Sequence, residues 1–196
     1  LRGKTGDKIW EFNTGSVAYS PSIGSDGTVY IGSWDRKIYA LNGKTGDKIR
    51  EYKIHPTVFS SAPSIGPDGT IYTGSYDTRA YALDGHSGNI HWNFKTWGAV
   101  NSSPVIGENG TVYFGSKNNK LYALDGKNGD KIWEFETEWG NCDNAQPAID
   151  TDGTIYIGAD NRNLYAINRD GTKKWSFKTG DNVDSPDNSD VHTSPS

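Results

Sequence analysis

One phrase of about ten residues recurs five times along this chain, and that repetition constrains the fold more than any single residue does. The copies begin at Gly3, Gly43, Gly85, Gly126 and, in a shortened form, Arg169. From copy to copy, the position of Trp10 recurs after 40, 42, 41 and 42 residues. A period of this length predicts an array of one supersecondary unit, in which each unit buries its apolar faces against its neighbours.

Each repeat contains four short runs that are typical of β-strands, and none has helical periodicity. The first run carries a proline, which belongs at the edge of a sheet because it cannot donate a ladder hydrogen bond. The second and third runs, at residues 28–32 and 38–41 in one copy, are apolar on both faces, as in strands between neighbouring sheets. The fourth run alternates, with Trp10 and Phe12 on one face and Glu11 on the other.

The turns and the side-chain sizes order these strands in space. An Asp-Gly or Asn-Gly pair follows the first run in every complete copy, and such pairs are strong hairpin signals. The first run is small and the fourth is large, which describes a sheet that is narrow inside and broad outside. The sequence therefore predicts an all-β protein, a β-propeller of four-stranded antiparallel blades with about four complete blades.

No linker separates the repeats, so we expect residues 1–196 to form one propeller array. The expected blades lie at about 18–53, 60–95, 102–136 and 145–178. We also expect an extra outer strand at 8–12 and a partial inner strand at 191–196.

The composition limits the kinds of partner and environment that the sequence favours. The net charge is −4 and the charges are scattered, so the sequence favours no nucleic acid. The apolar runs are too short for a transmembrane segment. Cys142 is the only cysteine, which excludes an internal disulfide and leaves the compartment open.

The stretch 40–46 reads ALNGKTG, and residues 82–88 and 123–129 read ALDGHSG and ALDGKNG. A tryptophan four residues after the last glycine completes a pattern that resembles the tryptophan-docking motif of quinoprotein-like (PQQ-like repeat) β-propellers. The resemblance implies that the tryptophans pack between adjacent blades, here Trp10, Trp92, Trp133 and Trp175. Arg50 replaces the tryptophan in one copy, and we expect a weaker contact there.

The resemblance implies several functions, because the family includes envelope scaffolds and PQQ-dependent dehydrogenases. Those dehydrogenases carry adjacent cysteines and a calcium cluster, whereas Cys142 has no cysteine neighbour. The Asp-Gly pairs are interpreted as turns and not as metal loops, and His55, His86 and His91 as surface residues. We therefore expect no enzyme activity, no catalytic residues, no cofactor and no metal site.

The loops at one end of the blades differ in every copy, and variable loops on a constant scaffold are where binding usually occurs. Aromatic and arginine side chains, which are enriched in interface anchors, are frequent there. The candidate residues of this partner face are Trp34, Asp35, Arg36, Tyr76, Asp77, Arg79, Trp97, Trp139 and Arg162. A longer acidic connection at 180–190 belongs to the same end.

These observations favour a non-catalytic scaffold or binding module that binds a protein or a glycan through the loops. By the resemblance we expect protein–protein interaction in the cell envelope, in a periplasmic or extracellular location. The alternatives are a fragment of a PQQ-dependent dehydrogenase and a carbohydrate-binding or sensory module of a larger protein. The resemblance suggests seven or eight blades, so the array is an arc of a larger ring or half of a ring completed by self-association.

Overall fold

The computed structural model describes residues 5–53 and 60–179, and these residues form sixteen strands. The first blade contains β1 (Ser22–Ile23), β2 (Thr28–Ser33), β3 (Lys37–Asn42) and β4 (Lys48–Lys53). The second contains β5 (Ser64–Ile65), β6 (Ile71–Gly74), β7 (Arg79–Leu83) and β8 (Ile90–Lys95). The third contains β9 (Val105–Ile106), β10 (Thr111–Ser116), β11 (Lys120–Asp125) and β12 (Lys131–Glu136). The fourth contains β13 (Ala148–Ile149), β14 (Ile155–Ala159), β15 (Asn163–Ile167) and β16 (Lys173–Lys178).

Every blade is an antiparallel meander in which strands adjacent in the sequence are adjacent in the sheet. The proline-containing run forms only a two-residue strand at one edge, because proline lacks the amide proton for a longer ladder. The predicted all-β fold of four-stranded antiparallel blades is confirmed. Within residues 5–53 and 60–179 there is no helix, and hence none that could cross a bilayer.

The hydrophobic core lies between the blades. One cluster joins Ile38 of β3 to Ile71 and Leu83 of the second blade. Two further clusters fill the next two seams in the same way, with Phe114 and Tyr165 among their largest side chains. The middle strands are buried on both faces because a neighbouring blade covers each face, as the apolar runs predict. Neighbouring blades are therefore held together mainly by the removal of apolar side chains from water in these seams.

A β-bulge interrupts each outer strand pair at the same place, next to Ala40, Ala82, Ala123 and Ala166. The extra residue in the outer strand is Ile49, His91, Ile132 or Lys174, and each of these side chains is exposed. A bulge adds one residue to one strand and changes which side chains face inward after it. It allows the next residue, usually tryptophan, to face the neighbouring blade.

Residues 8–12 are not assigned as a strand, in contrast to the expectation. Among the described residues, no third strand of another blade lies beside them, and a strand needs such a partner. Their tryptophan nevertheless contacts the next blade. His55, the acidic connection at 180–190 and the partial inner strand expected at 191–196 lie outside the described residues.

Candidate binding face and blade seams

Three tryptophans at the outer-strand position of the repeat, Trp10, Trp92 and Trp133, each contact a turn of the blade that follows. Trp92 on β8 is only 8% exposed, and its Nε1 donates to the carbonyl of Gly126, 2.8 Å away in the third blade. Trp133 bonds the carbonyl of Arg169 at 2.9 Å in the same way. The indole of Trp10 lies 3.0 Å from its acceptor in the first blade, the carbonyl of Gly43. A buried indole satisfies its N–H by this bond while its ring removes apolar surface from water.

A glycine of the turn lies directly against each indole. A methyl group on Gly129 would approach the ring of Trp92 to 2.7 Å, and the backbone of Gly129 has a φ of +77°. Gly46 meets the ring of Trp10 in the same manner. This position therefore requires glycine for two reasons: the backbone is left-handed, and the aromatic ring approaches too closely for a side chain.

The seam at Arg50 differs from the expectation of a weak contact. Tyr52, two residues further along β4 on the same face, is 4% exposed, and its hydroxyl donates to the carbonyl of Gly85. A methyl group on Gly88 would lie 2.6 Å from the ring of Tyr52. Burial raises the pKa of Tyr52, which keeps the phenol protonated as a donor. Tyr52 therefore takes the place of the missing indole.

A signal for this exchange is present in the sequence. Every other copy has phenylalanine where this one has Tyr52, and the exception coincides with the one copy that lacks tryptophan. A hydroxyl appears in the repeat that has lost an indole N–H. Sequence reasoning that treats each position separately misses such a paired substitution.

Trp175 of β16 is the remaining candidate docking residue. It is 40% exposed and packs against Tyr156 of its own blade, with ring centroids 5.8 Å apart. Phe177 on the same strand face is exposed as well. Thus Trp10, Trp92 and Trp133 dock to a following turn, whereas Trp175 has no following blade among the described residues.

Strand register brings both sets of variable loops to one end of each blade, which we call the loop face. In the first blade, Ser33 lies opposite Lys37, and Lys37 lies opposite Lys53. The loop after β2 and the connection after β4 therefore leave the sheet together. The other blades repeat this register.

Some candidate residues of the loop face hold the blade itself. Asp35 accepts hydrogen bonds from the hydroxyl of Tyr39 and from the amide of Gly15, the latter at 3.0 Å. Asp77 likewise accepts a bond from the hydroxyl of Tyr81. In the third and fourth blades, Asn118 and Asn161 bond the equivalent tyrosines. The acidic candidates therefore stabilise the loops.

Arg79 also has a partner within its blade. Its guanidinium donates to the side chain of Asn93 on the neighbouring strand. At the equivalent positions of the first and third blades, Lys37 and Lys120 pair with glutamates instead. Arg36 is exposed at the tip of its loop with a φ of +69°, and Arg162 occupies the same position at +63°.

Trp97 and Trp139 are the most exposed aromatic side chains described, at 77% and 86%. Their φ values are +67° and +69°, a region that bulky residues rarely adopt. Each follows the outer strand by a short step and precedes a glycine. A methyl group on Gly98 would lie 2.5 Å from the amide nitrogen of Asn118, so the loop is pressed against the next blade.

Threonine fixes the other side of each tryptophan loop. The hydroxyl of Thr96 donates to the carbonyl of Gly98 at 2.7 Å, and Thr137 bonds Gly140 in the same manner. With both ends held, the backbone between them directs the indole toward solvent. The ammonium of Lys95 lies 3.6 Å from the centre of the Trp97 ring and covers one of its faces.

Trp34 and Tyr76 form a separate aromatic pair on the loop face. Their rings meet edge to face with centroids 6.4 Å apart, although they belong to the first and second blades. The indole N–H of Trp34 donates to the hydroxyl of Tyr19. Both rings remain about half exposed, so the pair presents a rigid apolar surface.

The cysteine and the histidines of the described residues are either buried in a seam or exposed on the surface. Burial raises the pKa of the Cys142 thiol to about 12, and its sulfur lies 3.1 Å from the carbonyl of Lys120. Burial also raises the pKa of Asp143, whose carboxylate bonds the amide of Asn101 at 2.7 Å. His86 and His91 are exposed. No group of three or more possible metal ligands was found among residues 5–53 and 60–179.

The blades and their indole seams define a class, the β-propellers built from PQQ-like repeats. The family model described as outer membrane protein assembly factor BamB matches residues 1–134 and, in an overlapping second match, residues 55–193. The chain therefore belongs to the BamB family of PQQ-like β-propellers.

Solved structures agree on the fold. The chain resembles the crystal structure of BamB from Moraxella catarrhalis with a TM-score of 0.71 and 19% sequence identity. The match covers 85% of this chain and 55% of that one, so this chain spans little more than half of the relative. No curated protein matches the chain.

Proposed function

We propose that this chain is a non-catalytic scaffold that binds a partner protein through its loop face. The single observation that carries the proposal is the display of Trp97 and Trp139, two indoles held outward on a strained backbone. Tryptophan at positive φ costs free energy, and such strain is retained mainly where function requires it. Tryptophan is also among the residues that most often dominate binding energy at protein interfaces.

The rest of the loop face supports the same function. The Trp34–Tyr76 pair adds a second rigid apolar surface, and Arg36 and Arg162 lie on the neighbouring loops. Because threonine, glycine and asparagine contacts fix the loops, little conformational entropy is lost when a partner binds. The buried thiol of Cys142 is poorly suited to chemistry, which favours recognition over catalysis.

We further infer that the partner belongs to the cell envelope and takes part in outer-membrane protein assembly. The family description carries this inference, because it names an outer membrane protein assembly factor. The location that follows is the periplasm. Since the chain spans little more than half of its structural relative, the partner is assigned as a class of protein only.

A photo-crosslinking experiment tests this proposal. Benzoylphenylalanine is introduced at Trp97 or Trp139 and, as a matched control, at Ile132, which is exposed on the outer strand away from the loops. We expect the loop positions to crosslink an outer-membrane assembly protein, identified by mass spectrometry, and the control position to give no such product. Equal crosslinking from Ile132, or none from either loop position, would contradict the proposal.

A glycan ligand is the second candidate, favoured by the exposed and isolated ring of Trp139. Sugars stack on flat aromatic faces, and one face of Trp97 is already covered by Lys95. A glycan array therefore discriminates the two functions. Binding that is lost in Trp139→Ala but kept in Trp97→Ala would indicate carbohydrate recognition and would displace the protein partner.

A further inference from the structure

A pocket between the first and second blades opens at the end of the blades opposite the loop face. Its volume is about 350 Å³, within the range of roughly 300–1,000 Å³ that is typical of ligand pockets. Asp26 and Tyr30 line it from the first blade, and Asp68, Thr70 and Asp84 line it from the second, together with two histidines. The seam that contains this pocket is the one in which arginine replaces the usual tryptophan.

The lining of this pocket is acidic. Hydrogen bonds from neighbouring backbone amides lower the pKa values of Asp26, Asp68 and Asp84, so all three carboxylates are ionised at neutral pH. His91 lies 3.7 Å from Asp84, and Arg50 interacts electrostatically with the neighbouring Tyr30. Among the described residues, however, no lysine or arginine lines the pocket itself. Its charge therefore favours a cation.

The fourth blade indicates which kind of cation fits such a lining. There the ammonium of Lys174 donates to Asp152 at 3.0 Å and to the hydroxyl of Thr154 at 2.8 Å. Asp68 and Thr70 occupy the same two positions in the second blade and line the pocket. The residue equivalent to the lysine is a histidine in the second blade. The second blade thus has the acceptors of an ammonium group without the lysine that supplies it.

Tyr30 adds a buried polar group to the pocket. It is 7% exposed, and its hydroxyl has no hydrogen-bond partner within residues 5–53 and 60–179. The equivalent hydroxyl of Tyr72 bonds the carbonyl of Gly126 at 3.0 Å. In the first seam, the matching carbonyl of Gly85 accepts its bond from Tyr52 instead. Because a buried hydroxyl without a partner costs free energy, this arrangement favours a ligand that bonds Tyr30.

We propose that this pocket binds a primary ammonium group on an apolar stem, at the place that Lys174 fills in the fourth blade. Asp68 and Thr70 accept hydrogen bonds from the ammonium, and the stem lies against the ring of Tyr30. Such a group belongs to a free aliphatic amine or to a lysine side chain of a partner protein. The pocket lies away from the loop face, so this ligand is additional to the partner proposed above.

Nuclear magnetic resonance on the full chain gives the first test. Butylamine is the probe, because its ammonium and four-carbon stem copy a lysine side chain. We expect saturable shifts at the amides of Gly69, Thr70 and Gly85, with a dissociation constant in the low millimolar range. Butanol and potassium chloride at the same concentration should not produce these shifts. Equal shifts from either control, or none from butylamine, would overturn the proposal.

A charge-removing substitution tests the acceptor. Asp68→Asn should weaken butylamine binding by roughly tenfold, because it removes a charged hydrogen-bond acceptor. The turn should persist, since Asn109 accepts the amide of Thr111 at 3.2 Å at the same position of the third blade. Asp152→Asn is the matched control and should leave binding unchanged, because Asp152 lies in the fourth blade. An equal loss in both variants, or no loss in Asp68→Asn, would contradict the proposed site.

A lysine placed within the chain tests the position of the ammonium. His91→Lys should abolish butylamine binding, because its own ammonium can then reach Asp68 and Thr70 as Lys174 reaches their counterparts. His91→Gln is the matched control and should still bind butylamine. Unchanged binding in His91→Lys, or complete loss in His91→Gln, would overturn the proposed position.

A short peptide distinguishes the two sources of the ammonium. Tighter binding of acetyl-Ala-Lys-Ala-amide than of butylamine would support a lysine of a partner protein, and equal or weaker binding would support a free amine. The same peptide with an acetylated lysine amine has lost the charge and should not bind. Binding of the acetylated peptide to the same amides would overturn the proposal.

Discussion

Tryptophan is used in opposite ways at the two ends of the blades. Trp92 is 8% exposed and bonds a carbonyl in a seam, whereas Trp139 is 86% exposed and touches solvent on the loop face. Trp92 lies in the outer strand β8, whereas Trp139 lies in the connection that follows the outer strand β12. The difference arises from the neighbouring blade, which provides a glycine turn for one ring and none for the other.

The comparison explains why the two ends vary differently between repeats. A seam needs an aromatic ring, a glycine at positive φ and a free carbonyl to occur together, so the turns of the blades stay nearly the same. On the loop face, side chains such as those of Asp35, Asp77 and Thr96 hold the loops. The side chains that point outward between them can change with little loss of stability, and binding residues can accumulate there.

Replacing the two tryptophans should give the largest contrast. We expect Trp92→Ala to lower the free energy of unfolding by about 3–5 kcal/mol, because it empties a packed seam. Trp139→Ala should change the free energy of unfolding by no more than about 0.5 kcal/mol. Guanidinium unfolding followed by circular dichroism measures both values, and similar losses would refute the contrast.

Glycine substitutions separate ring contact from backbone strain. Gly110→Ala introduces a methyl group at a φ of +82° with nothing within 4 Å, and should cost about 1–2 kcal/mol. Gly129→Ala has the same strain and adds an overlap with the ring of Trp92, which should cost about 1–3 kcal/mol more. The additional loss should shrink in the Trp92→Ala background. An equal loss at both glycines would mean that the ring does not restrict the turn.

In the seam that has Tyr52 in place of an indole, we expect substitutions to lower the free energy of unfolding by a smaller amount. Tyr52→Phe removes only the hydroxyl that bonds Gly85, and should lower the free energy of unfolding by about 1 kcal/mol. Arg50→Ala, at the position that normally holds tryptophan, should cost no more than about 0.5 kcal/mol. A greater loss at Arg50 than at Tyr52 would show that the tyrosine does not replace the indole.

We expect the smallest effect on the free energy of unfolding from the ion pairs of the outer strand, and only at acidic pH. Lys48 and Lys37 lie 2.8 and 2.9 Å from the Glu51 carboxylate and lower its pKa to about 2. A carboxyl with a lowered pKa in the folded state contributes stability above its ordinary pKa of 4.5, and this is lost as the pH falls toward 2.

Glu51→Gln should therefore flatten the fall in unfolding free energy between pH 4.5 and about 2. A parallel titration in about 1 M salt should reduce the difference between variant and parent, because salt screens exposed charges. An unchanged pH profile in Glu51→Gln would show that these ion pairs do not contribute.

The candidate site was only partly predictable. Strand order follows from turn signals, so the sequence could indicate that the variable loops with Trp34, Tyr76, Trp97 and Trp139 leave the blades at one end. That these residues bind a partner stays a prediction. The sequence could not show that Asp35, Asp77 and Arg79 bond within the blade. A hydrogen-bond partner depends on the distance between atoms that are remote in the sequence, and residue type alone does not give that distance.

The sequence by itself determined the repeat, the four strands of each blade and their order, because alternation and turn residues act over a few neighbouring positions. Only the tertiary structure decided which aromatic rings are buried. Trp92, Tyr52 and Trp139 differ in exposure because burial requires a second blade with a complementary turn, and that turn lies more than thirty residues away in the chain.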